Sequence, residues 1–291
     1  MTSTLVLLAT ALVIFYVGWL AVLWRFQERI VFQPPGGVAA AQVPAREMRY
    51  RASDGVELFA YVVGEAAGAH PVIIAFHGNA DLARWFVPWA IDVVRETKAC
   101  VVLPEYRGYD GLSGRPSYEG SRRDAIAALD LVRESLGVTA ERTVYFGHSL
   151  GSAIAAELAA IHPPASLILQ SPFTSARDMA RRMVVPGATA LWGVISRVHF
   201  DTVSRVRALG CRVWVSHGDE DLVVPHRMGL EVFAAARHKG ELLIVPTAGH
   251  NDVAQVGGDE YWAWLRRAVL LAPLEQERDR DLDGFGQRIL P

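Results

Sequence analysis

The chain has 291 residues, a formal net charge of −2 and a hydrophobic fraction of 51%. Beyond an N-terminal hydrophobic segment about 260 residues remain, which bury roughly 75% of the surface their unfolded form would expose and suit one large α/β domain or two small ones. The near-neutral balance gives no bulk attraction to nucleic acid or to an acidic polymer, and the basic residues are nearly all Arg, with Lys only at Lys98 and Lys239.

The segment 5–24 opens on Leu5, closes on Trp24 and carries no charge. As a helix it spans about 30 Å, the thickness of a bilayer core. Trp19 and Trp24 lie toward its end, where interfacial aromatics sit. A cleaved signal peptide is the competing reading. It is disfavoured because no basic residue precedes the run, the run is long, and no small-residue cleavage site stands before Arg25. Residues 1–24 therefore read as a single-pass anchor with the bilayer as partner. Arg25 and Arg29 follow the span and no Lys or Arg precedes it, so the positive-inside rule puts the rest of the chain in the cytoplasm. Residues 25–44, broken by Pro34-Pro35-Gly36-Gly37, read as a juxtamembrane linker.

Residues 46–52 and 56–63 flank Asp54-Gly55 and read as a hairpin. Short runs rich in Val, Ile and Leu then predict strands over 72–76, 100–103, 143–146, 167–169, 212–216 and 242–245, the composition of strands covered on both faces. Helical patterns alternate with them over 82–96, 118–136, 152–161, 226–237 and 259–271, with Pro88 delaying or kinking the first. This alternation predicts an α/β domain over 45–273 with a mostly parallel central sheet flanked by helices. Residues 174–209 break the rhythm and predict a small cap. Residues 274–291 are charge-dense and read as a mobile tail. Cys100 and Cys211 sit in apolar runs and read as small buried hydrophobes, without disulfide framework or metal spacing.

Gly147-His148-Ser149-Leu150-Gly151 lies between the strand run Thr143-Val144-Tyr145-Phe146 and a helical run from Ala153. A strand-to-helix turn this sharp strains the Ser, and the flanking glycines relieve crowding. The following helix N-terminus offers a positive dipole end for an oxyanion. A Ser hydroxyl needs a base, and the base needs an orienting acid. His250 follows the last predicted strand and is the expected base. His217 comes too early, and His226 and His238 lie at the ends of a helix. For the acid, Asp219 and Asp221 in His217-Gly218-Asp219-Glu220-Asp221 both qualify, whereas Asp178 and Asp201 lie in the cap. No second cluster completes a metal cage, so no metal is expected.

The chain resembles the membrane-anchored α/β-hydrolase-domain serine hydrolases, the branch that includes protein depalmitoylases and lysophospholipases. The resemblance covers about residues 25 to 270. It is carried by Gln27-Glu28-Arg29-Ile30-Val31-Phe32, Phe76-His77-Gly78-Asn79-Ala80, Glu105-Tyr106-Arg107-Gly108-Tyr109, Gly114-Arg115-Pro116-Ser117 and 147–151. Further matches are Gln170-Ser171-Pro172-Phe173-Thr174-Ser175, His217-Gly218 with Asp221, and Gly249-His250. It implies an α/β-hydrolase fold, Asp221 as the acid, and an oxyanion hole from the backbone N–H groups of Asn79 and Leu150.

Ser149, His250 and Asp221 then predict a triad that cleaves carboxylic esters or thioesters through an acyl-enzyme. No cofactor is expected, because neither a P-loop nor a dinucleotide fingerprint is present. Apolar residues of the cap, Met183 and Trp192 among them, and Trp85 of the first helix are expected to bind an acyl or lipid-like substrate, against the alternative that they only pack the cap. A serine peptidase or amidase on the same fold and a non-catalytic membrane scaffold are the competing functions. An anchor separable from the domain is expected to deliver substrate without contributing to the chemical step.

Overall fold

The computed structural model describes residues 2–36, 42–66, 70–183 and 196–286. Eight strands form one sheet: β1 (Arg46–Arg51), β2 (Glu57–Val63), β3 (Val72–Phe76), β4 (Cys100–Pro104), β5 (Thr143–His148), β6 (Ser166–Gln170), β7 (Arg212–Gly218) and β8 (Lys239–Val245). Their order is β1-β2-β4-β3-β5-β6-β7-β8. β1, β2 and β4 pair antiparallel, and from β4 onward every pairing is parallel. The helices are α1 (Thr2–Val31), α2 (Val87–Thr97), α3 (Tyr118–Leu136), α4 (Leu150–Ile161), α5 (Ala176–Met183), α6 (Thr202–Ala208), α7 (His226–Ala235) and α8 (Val253–Gly286).

Side-chain alternation divides the core into two layers. Val72, Ile74 and Phe76 of β3 face α3, α4, α6 and α7. Ile73 and Ala75 face α2 and α8, where Trp264 and Tyr261 fill the space against Val144 and Phe146. Strands buried on both faces carry no polar stripe, which is why their sequences read as unbroken apolar runs. Both cysteines are buried and free.

The elements begin and end where local chemistry dictates. Ser117 caps α3 by accepting from the Gly120 N–H at 3.0 Å, and Gly137 ends it in a left-handed conformation, φ 69°. Pro88 falls in the first turn of α2, where a missing N–H costs nothing. A 3-10 turn, Ala83–Phe86, occupies the start of the helix expected from 82.

Three expectations need correction. α1 runs to Val31, into the segment read as linker, because no helix breaker stands before Pro34 and Phe32 is drawn into the core. The expected cap, 174–209, is not one unit: α6 packs on α4 and α7 in the body, with Val206 buried and Arg205 bonded to Glu157 at 2.9 Å. Residues 184–195 of that cap lie outside the described residues. The helix expected from 259 does begin there, after Gly258 leaves helical geometry (φ 48°, ψ −131°), and a short helical segment from Val253 precedes it. The helix from 259 continues to Gly286, into the expected mobile tail. Residues 275–282 carry Glu, Gln, Arg, Asp and Leu without Gly or Pro, a composition that supports helix.

The turn from β5 into α4 depends on two missing side chains. A Cβ on Gly151 would lie 2.1 Å from the Phe76 carbonyl oxygen, and one on Gly147 would lie 2.3 Å from that of Gly151. Gly210 has open space around it. Gly151→Ala is expected to destabilise the protein by about 2 kcal/mol or more and lower Tm by several degrees, whereas Gly210→Ala leaves Tm within about 2 °C. Thermal unfolding in detergent checks the pair, and equal Tm values for both would contradict this packing.

Candidate functional site

The site lies where β5 ends and α4 begins. Ser149 holds φ 53° and ψ −114°, a conformation that L residues rarely adopt and that costs of order 1–3 kcal/mol. The turn is held by the Ser149 N–H donating to the Gln170 carbonyl at 2.9 Å and by the Ser152 hydroxyl at 2.8 Å from the Gly147 carbonyl. With its backbone fixed, Ser149 presents its hydroxyl at the mouth of the sheet.

Ser149, His250 and Asp221 come together in a line. The Ser149 Oγ lies 2.9 Å from His250 Nε2, and His250 Nδ1 lies 2.6 Å from Asp221 Oδ2. An ionised Asp221 only accepts, so His250 Nδ1 carries a proton and Nε2 is free to receive one. Asp221 Oδ1 accepts from the N–H groups of Val223 and Val224, each at 2.8 Å. Burial opposes its ionisation, but hydrogen bonds from His217 and His250, reinforced by the positive charge His250 takes on when protonated, hold its carboxyl well below the ordinary value. Asp219, the alternative acid, instead accepts from the Thr247 N–H at 2.7 Å and does not reach His250.

Three further residues support this line, and the sequence reading gave them no role. His217 is fully buried; its Nε2 faces Asp221 Oδ2 at 3.1 Å and the Val224 carbonyl at 2.9 Å, so that nitrogen is a donor. His148 Nε2 donates to the His250 carbonyl at 3.0 Å, and the Ser171 hydroxyl donates to the same oxygen at 3.3 Å. Burial and the adjacent His250 push His148 down to about 4, which keeps it a neutral donor at neutral pH. His217 and Ser171 stood within the motifs that carried the resemblance, and His148 is adjacent to Ser149. Their spatial partners are far away in the chain, which is why one sequence does not reveal the contacts.

Opposite Ser149 the loop 77–80 is held by the Glu105-Tyr106-Arg107-Gly108-Tyr109 segment. Glu105 is fully buried and accepts from the Tyr106 and Ala83 N–H groups and from His77 Nε2 at 2.9 Å. His77 Nδ1 faces the Gly78 carbonyl at 2.8 Å. Both ring nitrogens meet acceptors, the arrangement of an imidazolium; burial opposes its charge, but Glu105 raises its pKa above the usual value. The Tyr106 hydroxyl donates to the His77 carbonyl at 2.8 Å, and the Tyr109 hydroxyl to Asn79 Oδ1 at 3.0 Å. Arg107 is clamped between Asp54 and Asp124 at 2.7 Å each. Asn79 and Leu150 both line the space in front of Ser149. The Leu150 N–H opens α4, where helical amides lack an internal partner.

That space is a cleft of about 550 Å³. Its floor holds Ser149, Leu150 and Asn79, and Phe173, Met179, Phe200 and Val224 form part of its wall. Much of the remaining wall is α1, which contributes Trp19, Leu20, Leu23, Trp24, Gln27, Ile30 and Val31. α1 is therefore part of the site, contrary to the expectation of a separable segment. The three expected substrate contacts fare differently. Trp85 does not line the cleft: it sits on the outer side of the 3-10 turn, 48% exposed, while its neighbour Phe86 packs inward on Phe146 and His148. Met183 ends α5, but its side chain lies outside the described residues, as does Trp192 altogether. Among the described residues no group of three or more His, Cys, Asp and Glu is arranged to hold a metal ion.

Comparison with known proteins agrees with this fold. A family model for the alpha/beta hydrolase fold matches residues 71–189. An uncharacterized Mycobacterium tuberculosis protein is 32% identical over 259 residues, covering 86% of this chain and 89% of that protein. The Arabidopsis thaliana alpha/beta hydrolase domain-containing protein WAV2 is 31% identical over 273 residues, covering 84% of this chain and 88% of its own. The Pyrococcus furiosus esterase Pf2001 superposes with a TM-score of 0.65 at 16% identity, over 82% of this chain and 98% of that one. Sequence identity that extends over most of both chains, on this sheet order and this strained serine turn, makes the protein a member of the alpha/beta hydrolase domain family.

Proposed function

We propose that the protein is a serine hydrolase that cleaves carboxylic esters or thioesters of lipid-like acyl groups, tethered to a membrane by α1. The observation that carries this reading is the hydrogen-bonded line Ser149–His250–Asp221 opening on an apolar cleft. The likeness to an esterase fold and the resemblance to depalmitoylases and lysophospholipases support the same reaction class.

In this mechanism the Ser149 Oγ–H passes its proton to His250 Nε2 as Oγ bonds to the substrate carbonyl carbon. The negative charge that develops on the carbonyl oxygen meets the N–H groups of Asn79 and Leu150, each contributing about 3 kcal/mol to lowering the barrier. Asp221 stabilises the transient imidazolium and fixes its orientation. The C–O or C–S bond to the leaving group breaks as His250 returns the proton to the leaving alcohol or thiol. Water then attacks the acyl-enzyme, loses its proton to His250, and releases the carboxylic acid with Ser149 reprotonated.

Tethering is supported by α1 itself, whose most apolar 18-residue window has a mean hydropathy of 2.5 and is not buried. Trp19 and Trp24 stand at the end of the span, and Arg25 and Arg29 bracket the Phe26 ring at 5.6 and 5.5 Å. Basic residues on that flank favour a cytoplasmic catalytic domain.

A fluorophosphonate probe is expected to label the wild-type protein and not Ser149→Ala; undiminished labelling of that variant would remove the nucleophile from this account. Asp221→Asn is expected to lower kcat by roughly 10⁴-fold by admitting the wrong imidazole tautomer, and Asp219→Asn by less than about tenfold, since it touches only a loop amide. The opposite ranking in ester kinetics would refute the assignment of the acid. The depressed Asp221 pKa also fixes a pH dependence. Its contribution to stability is complete above the unfolded-state value near 4 and is lost as pH falls toward the lower folded-state value. The Tm difference between wild type and Asp221→Asn is therefore expected to be constant from about pH 5 to 7 and to shrink below about pH 4. A difference that widens on acidification would contradict the shift.

A further inference from the structure

One face of α1 is half-buried at Tyr16, Leu20, Leu23, Gln27 and Val31, whereas its other positions between residues 5 and 26 are exposed. The spacing i, i+4, i+7, i+11, i+15 is a single helical stripe. From Leu20 onward this stripe is cleft wall. Four of the cleft-lining residues, Trp19, Leu20, Leu23 and Trp24, also belong to the uncharged span 5–24. The same stretch of helix thus serves the hydrolase cleft and the apolar run long enough to cross a bilayer.

The contact is fixed rather than incidental. Gln27 Oε1 accepts from the Arg197 N–H at 2.6 Å and from the Ser196 hydroxyl at 3.3 Å. The Arg197 guanidinium lies 4.0 Å from the Trp24 ring centroid. Phe32 is buried against Phe200, and the Gln33 N–H donates to Asn79 Oδ1 at 2.8 Å. The end of α1 is therefore tied by a hydrogen bond to the loop that carries the proposed oxyanion donor.

We propose that α1 is the acyl-binding wall of the enzyme: the substrate carbonyl sits at Ser149, and its acyl chain lies along α1 from Ile30 toward Trp19, entering sideways from the membrane interior. This rests on the ester-hydrolase reading above and adds the substrate's chain class and its route. Ile30 to Trp19 is a rise of about 16 Å, which an extended hydrocarbon of roughly a dozen carbons spans. A long-chain acyl group fits that track, and a short one leaves it unfilled.

The test uses the full-length protein in detergent micelles with p-nitrophenyl butyrate and p-nitrophenyl palmitate. Leu23→Trp and Leu20→Trp add bulk on the cleft face; Val22→Trp adds the same bulk at the same depth on the outer face, where Val22 is 49% exposed and lines no part of the cleft. The ratio of kcat/KM for palmitate over butyrate is expected to fall at least tenfold in Leu23→Trp and Leu20→Trp and to stay within twofold in Val22→Trp. Labelling of Ser149 by a short-chain fluorophosphonate verifies that each variant is folded. A ratio unchanged in both cleft-face variants would overturn the acyl wall while leaving the hydrolase reading intact. An equal fall in Val22→Trp would also overturn it, because the effect would come from disturbing the helix and not the track. A wild-type protein that neither turns over either ester nor labels at Ser149 would overturn the hydrolase reading and this proposal with it.

Discussion

The site depends on how closely the start of α4 approaches the end of β3. Gly151 sits against the Phe76 and His77 carbonyl oxygens, at distances that leave no room for a Cβ, and Gly147 sits equally close to Gly151. This contact forces Ser149 into its strained turn and brings the first amide of α4 beside the loop 77–80. Without it, Ser149 and Asn79 would not face the same space. The strain is sustained because surrounding groups over-determine it: Gln170 accepts the Ser149 N–H, and Ser152 satisfies the carbonyl of Gly147.

The second support is electrostatic. Both loops that face Ser149 are held by buried carboxylates whose oxygens are nearly saturated with donors. Glu105 organises the loop 77–80 through His77 and two backbone amides, and Asp221 organises His250 while accepting from His217 and two amides. A buried carboxylate is costly unless it is satisfied in this way, and once satisfied it tolerates little displacement. The loops therefore meet with the geometry already set before substrate arrives.

Much of this was legible in the sequence, and the reasons differ by element. β3 and α3 were read to the residue because an unbroken apolar run and a capped amphipathic pattern are local signals. Ser149 and His250 were readable because a strained turn after a strand and a loop after the last strand have recognisable flanks. Asp221 over Asp219 as the proposed acid rests on resemblance, since both stand on one loop, and their different partners, His250 with the Val223 and Val224 amides for one and the Thr247 amide for the other, follow from the three-dimensional turn. Trp85 misled because an aromatic beside a predicted helix start says nothing about which side of a 3-10 turn it occupies. The role of α1 in the cleft was invisible for a related reason. Uniform apolarity from residue 5 to 24 hides which face a neighbour covers, so hydropathy marked a helix long and apolar enough to span a bilayer but not the stripe that the domain uses.

In the proposed function α1 joins two properties usually assigned to separate parts of a protein, residence in a bilayer and recognition of substrate. The account nonetheless stands first on acyl transfer to Ser149. The most direct measurement is mass spectrometry of the protein quenched in acid during turnover of an ester. The account predicts a mass gain equal to one acyl group, mapped to the peptide that contains Ser149 and absent from Ser149→Ala. Turnover with the acyl group on any other residue, or undiminished turnover by Ser149→Ala, would contradict it.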